Sequence, residues 1–309
     1  MTTPASSQPT SEATTNAKTA VAKRIVVVHN PTPNVRRHLL FKRLLKALPE
    51  GVYMLATTGD YSSDLKTLKN ACQNADLLIA VGGDGTLNLA VNAVAYTDTV
   101  LGVVPAGSGN DFARIWVAGL SADDVIKTAL HGETIQIDLG QANERYFLNN
   151  AGIGFDAELI KRLRHKTWPR KFTYMSRALQ LLPGYRSQPI VLDDPSQSVN
   201  AGTARKSFML SIGNGRYFGA GLPITPHARV NDGLLAFTHI KENNRATTLR
   251  SLTQMLVQKH LNAKHVQAGQ IEQLRVKSTG IPVQVDGEYL GYSPVDIKVC
   301  PGALKINKL

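Results

Sequence analysis

The sequence predicts an α/β chain in which an N-terminal parallel α/β domain is followed by a β-rich domain. Three observations predict it. Short, unbroken apolar runs alternate with segments of helical periodicity through the first part of the chain. Two of those runs end directly in glycine-rich turns. After about Ile135 the alternation gives way to strand-like segments separated by turn residues.

Taken in order, Ile25-Val26-Val27-Val28 is a continuous apolar segment ending in His29-Asn30-Pro31, as a strand buried on both faces would be. From Arg36 to Leu48, Leu40, Phe41, Leu44, Leu45 and Leu48 recur at helical spacing among Arg and Lys. Val52 to Ala56 reads as a strand, and Asp60 to about Ala71 as a helix with Asp60 at its N-cap. Leu77 to Val81 is a third strand running into Gly82-Gly83-Asp84-Gly85-Thr86, and a helix follows through Leu87, Leu89, Ala90, Val91 and Val94. Leu101 to Val104 is a fourth strand, ending in Pro105-Ala106-Gly107-Ser108-Gly109-Asn110-Asp111.

In the second half, Phe155–Arg164 and Phe172–Leu182 read as helices, and an amphipathic helix is expected over about Ala246–Lys259. The candidate strands are Ser207–Ile212, Leu234–Ile240, Leu274–Lys277, Val283–Val285 and Val295–Val299. The expected division is a disordered tail over 1–20, an α/β domain over 21–138 and a β-rich domain over 139–309. The tail is rich in Ser, Thr and Ala, offers little to bury, and lacks the apolar run of a signal peptide.

Hydrophobic residues make up 43% of the 309, enough for a substantial core. The 35 Lys and Arg against 23 Asp and Glu give a formal charge of +12, which suits an anionic partner and serves solubility equally well. Cys72 and Cys300 lack metal-ligand spacing and are too few for a disulfide framework, so a reducing, cytoplasmic setting is expected. No stretch reaches the roughly 18 apolar residues of a membrane-spanning helix. Any membrane contact is therefore expected to be peripheral.

The two glycine-rich turns fall at the C-terminal ends of neighbouring strands, where parallel sheets bind ligands. In Gly82-Gly83-Asp84-Gly85-Thr86 the glycines let backbone approach an anion, and the following helix presents unpaired N–H groups. Asp84 beside a phosphate calls for a cation, either Mg²⁺ or a nearby Lys or Arg. Alone, the turn reads first as a tight strand-to-helix connection with no ligand. The second turn, Gly107-Ser108-Gly109-Asn110-Asp111, repeats the arrangement and moves the balance to phosphate binding. Neither is a Gly-x-x-x-x-Gly-Lys-[Ser/Thr] loop, and neither fits Gly-x-Gly-x-x-Gly.

Three further segments follow these turns: Asn150-Ala151-Gly152-Ile153-Gly154-Phe155-Asp156-Ala157, Asn231-Asp232-Gly233-Leu234-Leu235 and Asp286-Gly287-Glu288. In this order the five motifs resemble the catalytic domain of the diacylglycerol kinase family, most closely its small bacterial lipid kinases. The resemblance runs from about Arg24 to the C-terminus. The first motif alone is shared with NAD kinases and phosphofructokinases.

That resemblance implies an N-terminal parallel α/β nucleotide-binding domain and a C-terminal β-sandwich, with ATP in the cleft between them. It implies nucleotide-binding roles for Gly82, Gly83, Asp84, Gly85, Thr86, Leu87 and Asn88, for Ser108, and for Thr57, with which the adjacent Thr58 competes. Glu288 matches the family's general base. Asp232 matches a side-chain ligand of a structural Mg²⁺, to which Arg229 and Leu234 would contribute backbone carbonyls. Phosphoryl transfer needs mainly in-line positioning and charge neutralisation, and a carboxylate can accept the alcohol proton as the bond forms. Read locally, Glu288 is a hairpin glutamate after Asp286-Gly287 and Asp232 is a turn residue. Two departures stand out. Asn30-Pro31-Thr32-Pro33-Asn34 lacks the glycine that commonly follows Asn-Pro, and Ser108 replaces the more usual Thr.

The acceptor expected from the resemblance is diacylglycerol, phosphatidylglycerol or a related lipid alcohol. Lys161, Arg162, Arg164, Lys166, Arg170 and Lys171, with Trp168, Phe172 and Tyr174 among or beside them, suit an anionic membrane surface. The same pattern fits an exposed helix end whose aromatics pack inward. No nucleic-acid module is present, and a homodimer is compatible with the sequence. The competing readings are an NAD kinase, which the later motifs disfavour, and a catalytically silent nucleotide-binding regulator, against which Asp84 and Glu288 are both intact.

Overall fold

The computed structural model of the protein describes residues 23–32, 35–115, 117–163, 170–195, 199, 204–219, 221–255 and 258–308. The expected tail over 1–20 lies outside them, as do Asn34 of the first loop and Arg164, Lys166 and Trp168 of the basic segment.

The apolar runs become a parallel sheet covered on both faces. Strand β1 (Ile25–His29) leads to helix α1 (Val35–Ala47), then β2 (Tyr53–Ala56), α2 (Tyr61–Cys72), β3 (Leu77–Gly82), α3 (Asp84–Val94), β4 (Val100–Pro105) and α4 (Ala122–His131). These four strands lie in the order β2-β1-β3-β4, each pair parallel. Successive residues of β1 face opposite layers. Val27 packs with Leu40, Leu44, Ile79, Ile126 and Leu130 beneath α1 and α4. Val26 and Val28 pack with Leu68, Leu78, Ala90 and Val94 beneath α2 and α3. The expected N-cap of α2 is present, Asp60 accepting from the Ser63 N–H at 2.8 Å. Helix α4 was not expected. A capping box between Ser121 and Asp124 starts it, and Val125, Ile126, Ala129 and Leu130 are its buried side.

The remaining elements are β5 (Thr134–Ala142), β6 (Arg145–Phe147), β7 (Asn150–Gly154), α5 (Phe155–Leu163), α6 (Arg170–Leu181), β8 (Gln188–Ile190), β9 (Leu192–Asp193), β10 (Arg205–Gly213), β11 (Leu235–Lys241), α7 (Arg245–Met255), β12 (Val266–Ile271), β13 (Gln273–Val276), β14 (Pro282–Val285), β15 (Glu288–Tyr292) and β16 (Val295–Asn307). Among the described residues a seven-stranded sheet runs β12-β11-β10-β7-β14-β15, with β8 on β10. It faces β5, β6, β9, β13 and β16 across an apolar layer that includes Phe147, Ile153, Leu210, Phe237, Leu274, Val283 and Ile297. That is a β-sandwich. Its outer face is covered by α5, α6 and α7 through Phe155, Leu159, Leu181, Phe208 and Leu252.

Strand β16 joins the two halves. It runs past the expected end at Val299 and through Pro301-Gly302, with a register shift between Cys300 and Leu304 against β5. Its last turnless stretch reaches the parallel sheet, where Ile306 pairs with Leu101 of β4. A Pro-Gly pair normally ends a strand; here the bulge absorbs it.

Candidate active site

Both glycine-rich turns lie at the C-terminal edge of the parallel sheet, and they pack backbone against backbone. A Cβ on Gly107 would lie 2.3 Å from the Gly83 Cα, so the second loop has no room for a side chain there, and a Cβ on Gly83 would lie 3.2 Å from the Gly107 Cα. Gly83 caps α3 with no side-chain acceptor, which leaves the first amides of the helix open. Thr86, Leu87 and Asn88 are buried in the first turns of α3, whereas Ser108 is exposed on the second loop.

Asp84 ties the two turns together. Its Oδ2 accepts from the Asn110 N–H at 2.9 Å and its Oδ1 from the Asp111 N–H at 2.8 Å. The carboxylate therefore staples one loop to the other. Burial pushes its carboxyl up to about 6, Asp111 adds to the rise, and the two amides oppose it.

The second half of the chain brings Glu288 to the same place. Strands β14 and β15 are joined through Asp286 and Gly287, both at positive φ (49° and 82°), and Val285 pairs with Glu288 across the turn. Glu288 is exposed, and a Cβ on Gly85 would lie 3.2 Å from its Oε1. The Glu288 carboxylate thus faces the N-terminus of α3.

Asp286 anchors that turn. Its Oδ1 accepts from the amides of Asn149 and Asn150, each at 2.9 Å, and its Oδ2 from Leu148 N–H at 2.9 Å and Asn88 Nδ2 at 2.8 Å. Burial raises its carboxyl, and these four bonds oppose the rise. Asn88 also accepts from Arg145 Nε (3.1 Å) and Nη2 (2.9 Å). Arg145 lies over the Tyr61 ring, 3.5 Å from its centroid. Burial raises the Tyr61 hydroxyl; Arg145 opposes the rise, while Asp286 and Glu288 add to it. Arg145, Tyr61 and Asp286 are site residues that sequence reasoning did not assign. Asp286 had a signal in its Asp-Gly-Glu motif, whereas Arg145 had none.

At the end of β2 the structure separates the two threonines. Thr58 donates from Oγ1 to Asp64 Oδ1 at 2.8 Å, and its amide bonds the same carboxylate. The Thr57 hydroxyl makes no hydrogen bond among the described residues, and its amide donates to His29 O at 2.9 Å.

Arg229, Asp232 and Leu234 lie on the loop before β11, tied down by Asp138, which accepts from Gly233 N–H at 2.7 Å and Gly302 N–H at 2.8 Å. Asp232 is exposed; its Oδ1 accepts from Leu234 N–H at 3.2 Å and its Oδ2 from Gln270 Nε2 at 3.0 Å. Among the described residues no three His, Cys, Asp or Glu side chains converge as a metal centre. The loop's donors are one carboxylate and backbone carbonyls. That all-oxygen set fits Mg²⁺, which keeps several waters.

Of the basic segment, Lys161 and Arg162 are described, and both pair with Glu158, at 3.8 Å and 2.8 Å. The side chains of Arg170, Lys171, Phe172 and Tyr174 lie outside the described residues. No helix among the described residues is long and apolar enough to cross a membrane.

Comparison with known proteins identifies the family. Residues 24–142 match the family model described as the diacylglycerol kinase catalytic domain, and residues 149–308 match the YegS C-terminal NAD kinase beta sandwich-like domain. The chain is 30% identical over 288 residues to a diacylglycerol kinase of Bacillus subtilis (strain 168), covering 88% of this chain and 92% of that one. It is 31% identical over 272 residues to a diacylglycerol kinase of Mycobacterium tuberculosis (strain H37Rv), covering 83% and 85%. The fold matches a crystal structure of a diacylglycerol kinase from Bacillus anthracis str. Sterne with a TM-score of 0.66 at 18% identity, over 93% of this chain and 97% of that one. The chain belongs to the diacylglycerol kinase family and is a lipid kinase of that kind.

Proposed function

We propose that the protein transfers the γ-phosphoryl group of ATP to the hydroxyl of diacylglycerol, phosphatidylglycerol or a related lipid. The observation that carries this reading is Glu288 facing Gly85 at the open N-terminus of α3. A polyphosphate seated on the amides of Gly83 to Thr86 sets its terminal group beside that carboxylate. The lipid oxygen attacks the γ-phosphorus, the bond to the β–γ bridging oxygen breaks, ADP leaves, and the hydroxyl proton passes to Glu288. Ser108 and the uncommitted Thr57 hydroxyl supply further hydrogen bonds to the nucleotide. The loop with Asp232 and the Arg229 and Leu234 carbonyls would hold a structural Mg²⁺, which when bound would supply fixed positive charge to that loop. The acceptor reaches the site from an anionic membrane surface that the protein visits peripherally.

The test is purified protein with labelled ATP, Mg²⁺ and a panel of lipids. Label is expected in a lipid, and Glu288→Gln is expected to bind ATP normally while losing at least about 100-fold in turnover. Label in NAD but in no lipid would overturn the reading, as would transfer to nothing.

A further inference from the structure

The third motif, Asn150-Ala151-Gly152-Ile153-Gly154-Phe155-Asp156, has no part in the mechanism above, yet three of its residues converge on one side chain. Gln284 of β14 is fully buried, opposite Gly152 of β7. Its Nε2 donates to Asn150 Oδ1 at 2.8 Å and to Asp156 Oδ2 at 3.2 Å. Its Oε1 accepts from the Gly287 N–H at 2.9 Å. With two acceptor oxygens on one side and an N–H on the other, the amide has one satisfied orientation. Gly152 leaves the space for this arrangement, since a Cβ there would lie 1.6 Å from Asp156 Oδ2 and 2.5 Å from Gln284 Nε2.

Gly287 is the residue immediately before Glu288 and the second residue of the Asp286-Gly287 turn. Asn150 holds the other side of that turn, its N–H donating to Asp286 Oδ1 at 2.9 Å and its carbonyl accepting from Asp286 N–H at 2.8 Å. Gln284 and Asn150 together therefore restrain both turn residues from beneath the sheet. A buried polar cluster of this kind is costly unless satisfied, and Asp156 is 1% exposed with an Oδ1 that has no hydrogen-bond partner among the described residues. Burial pushes the Asp156 carboxyl up to about 6. An apolar side chain in place of Gln284 would release the Gly287 amide and would leave the Asn150 and Asp156 oxygens without this donor.

We propose that Gln284, oriented by Asn150 and Asp156, is a positioning residue that aims Glu288 at the reacting hydroxyl through the Gly287 amide. The proposal rests on Glu288 being the base. An error of about 1 Å in a reacting group can cost on the order of 100-fold in rate, so a single turn amide matters.

A double-mutant cycle tests it, with single-turnover rates for wild type, Gln284→Met, Glu288→Gln and the double variant. Gln284→Met is expected to lower the rate about 10- to 100-fold with KM for ATP within about twofold. In the Glu288→Gln background the same change is expected to cost less than about twofold, because the group it aims is already disabled. Losses that multiply in both backgrounds overturn the role of Gln284 and leave Glu288 in place. Full activity of Glu288→Gln alone overturns the base itself. Should Gln284→Met fail to fold, Gln284→Ala, which also removes the acceptor of the Gly287 amide, is carried through the same cycle with the same criteria.

Discussion

Asp156 shows how a single buried group writes itself into the pH dependence of the fold. Its carboxyl stands near 6 in the folded chain, against about 3.9 in an unfolded one. Between those values the folded state holds a proton that the unfolded state has released. Stability therefore falls as pH rises through that window. Asp84, also raised to about 6, adds a slope of the same sign. Asp156→Asn removes one of the two. Urea unfolding at about pH 4.5 and pH 7 is expected to favour the variant over wild type by on the order of 1–3 kcal/mol more at the higher pH. An unchanged difference between the two pH values would contradict the charge argument. Residues of this kind were only partly legible in the sequence. Glu288 and the glycines were found because they stand in short ordered motifs. Thr57 and Thr58 were inseparable until the Asp64 carboxylate claimed one of them. Arg145 and Gln284 were invisible, since what matters about them is a contact with residues far along the chain, Asn88 for one and Asp156 for the other.

At the scale of elements, periodicity located the buried strands and their helices, because a run covered on both faces has no other reading in a parallel sheet. It missed α4, although Val125, Ile126, Ala129 and Leu130 recur at helical spacing in its ten residues and the Ser121–Asp124 capping box marks its start. It cut β16 at Val299, because Pro301-Gly302 looks like an end and the bulge that carries the strand onward depends on β5 as partner. The two glycine loops act as one element. Gly107→Ala would place a methyl 2.3 Å from the Gly83 Cα and 2.7 Å from Asn110 Oδ1, contacts that only backbone movement relieves. The expected result is a loss of about 1–3 kcal/mol in stability and at least a tenfold loss in ATP affinity, read by thermal melting and by nucleotide titration. Normal ATP binding by a folded variant would show that the two loops need not close on each other to hold the nucleotide.

The whole molecule combines a cleft that joins two halves with a surface carrying a formal +12. Glu288 comes from the sandwich and the glycine loops from the parallel sheet, and β16 pairs with strands of both halves. In the proposed reaction a lipid hydroxyl reaches that cleft from a bilayer. Excess positive charge favours approach to an anionic surface, each basic group near it contributing about 1 kcal/mol, and screening by salt removes that attraction. Lys161 and Arg162 already share Glu158, so their contribution is smaller than their number suggests. The remaining four of the segment, Arg164, Lys166, Arg170 and Lys171, carry the rest of the argument. Sedimentation with anionic phosphatidylglycerol vesicles is expected to show binding that weakens steeply as salt rises, with little binding to neutral phosphatidylcholine vesicles. Neutralising all six charges to Gln is expected to lower the anionic-vesicle affinity by tenfold or more at low salt, with ATP affinity as the control for folding. Binding that survives both the substitutions and high salt would move the contact away from this segment, to apolar insertion elsewhere on the chain.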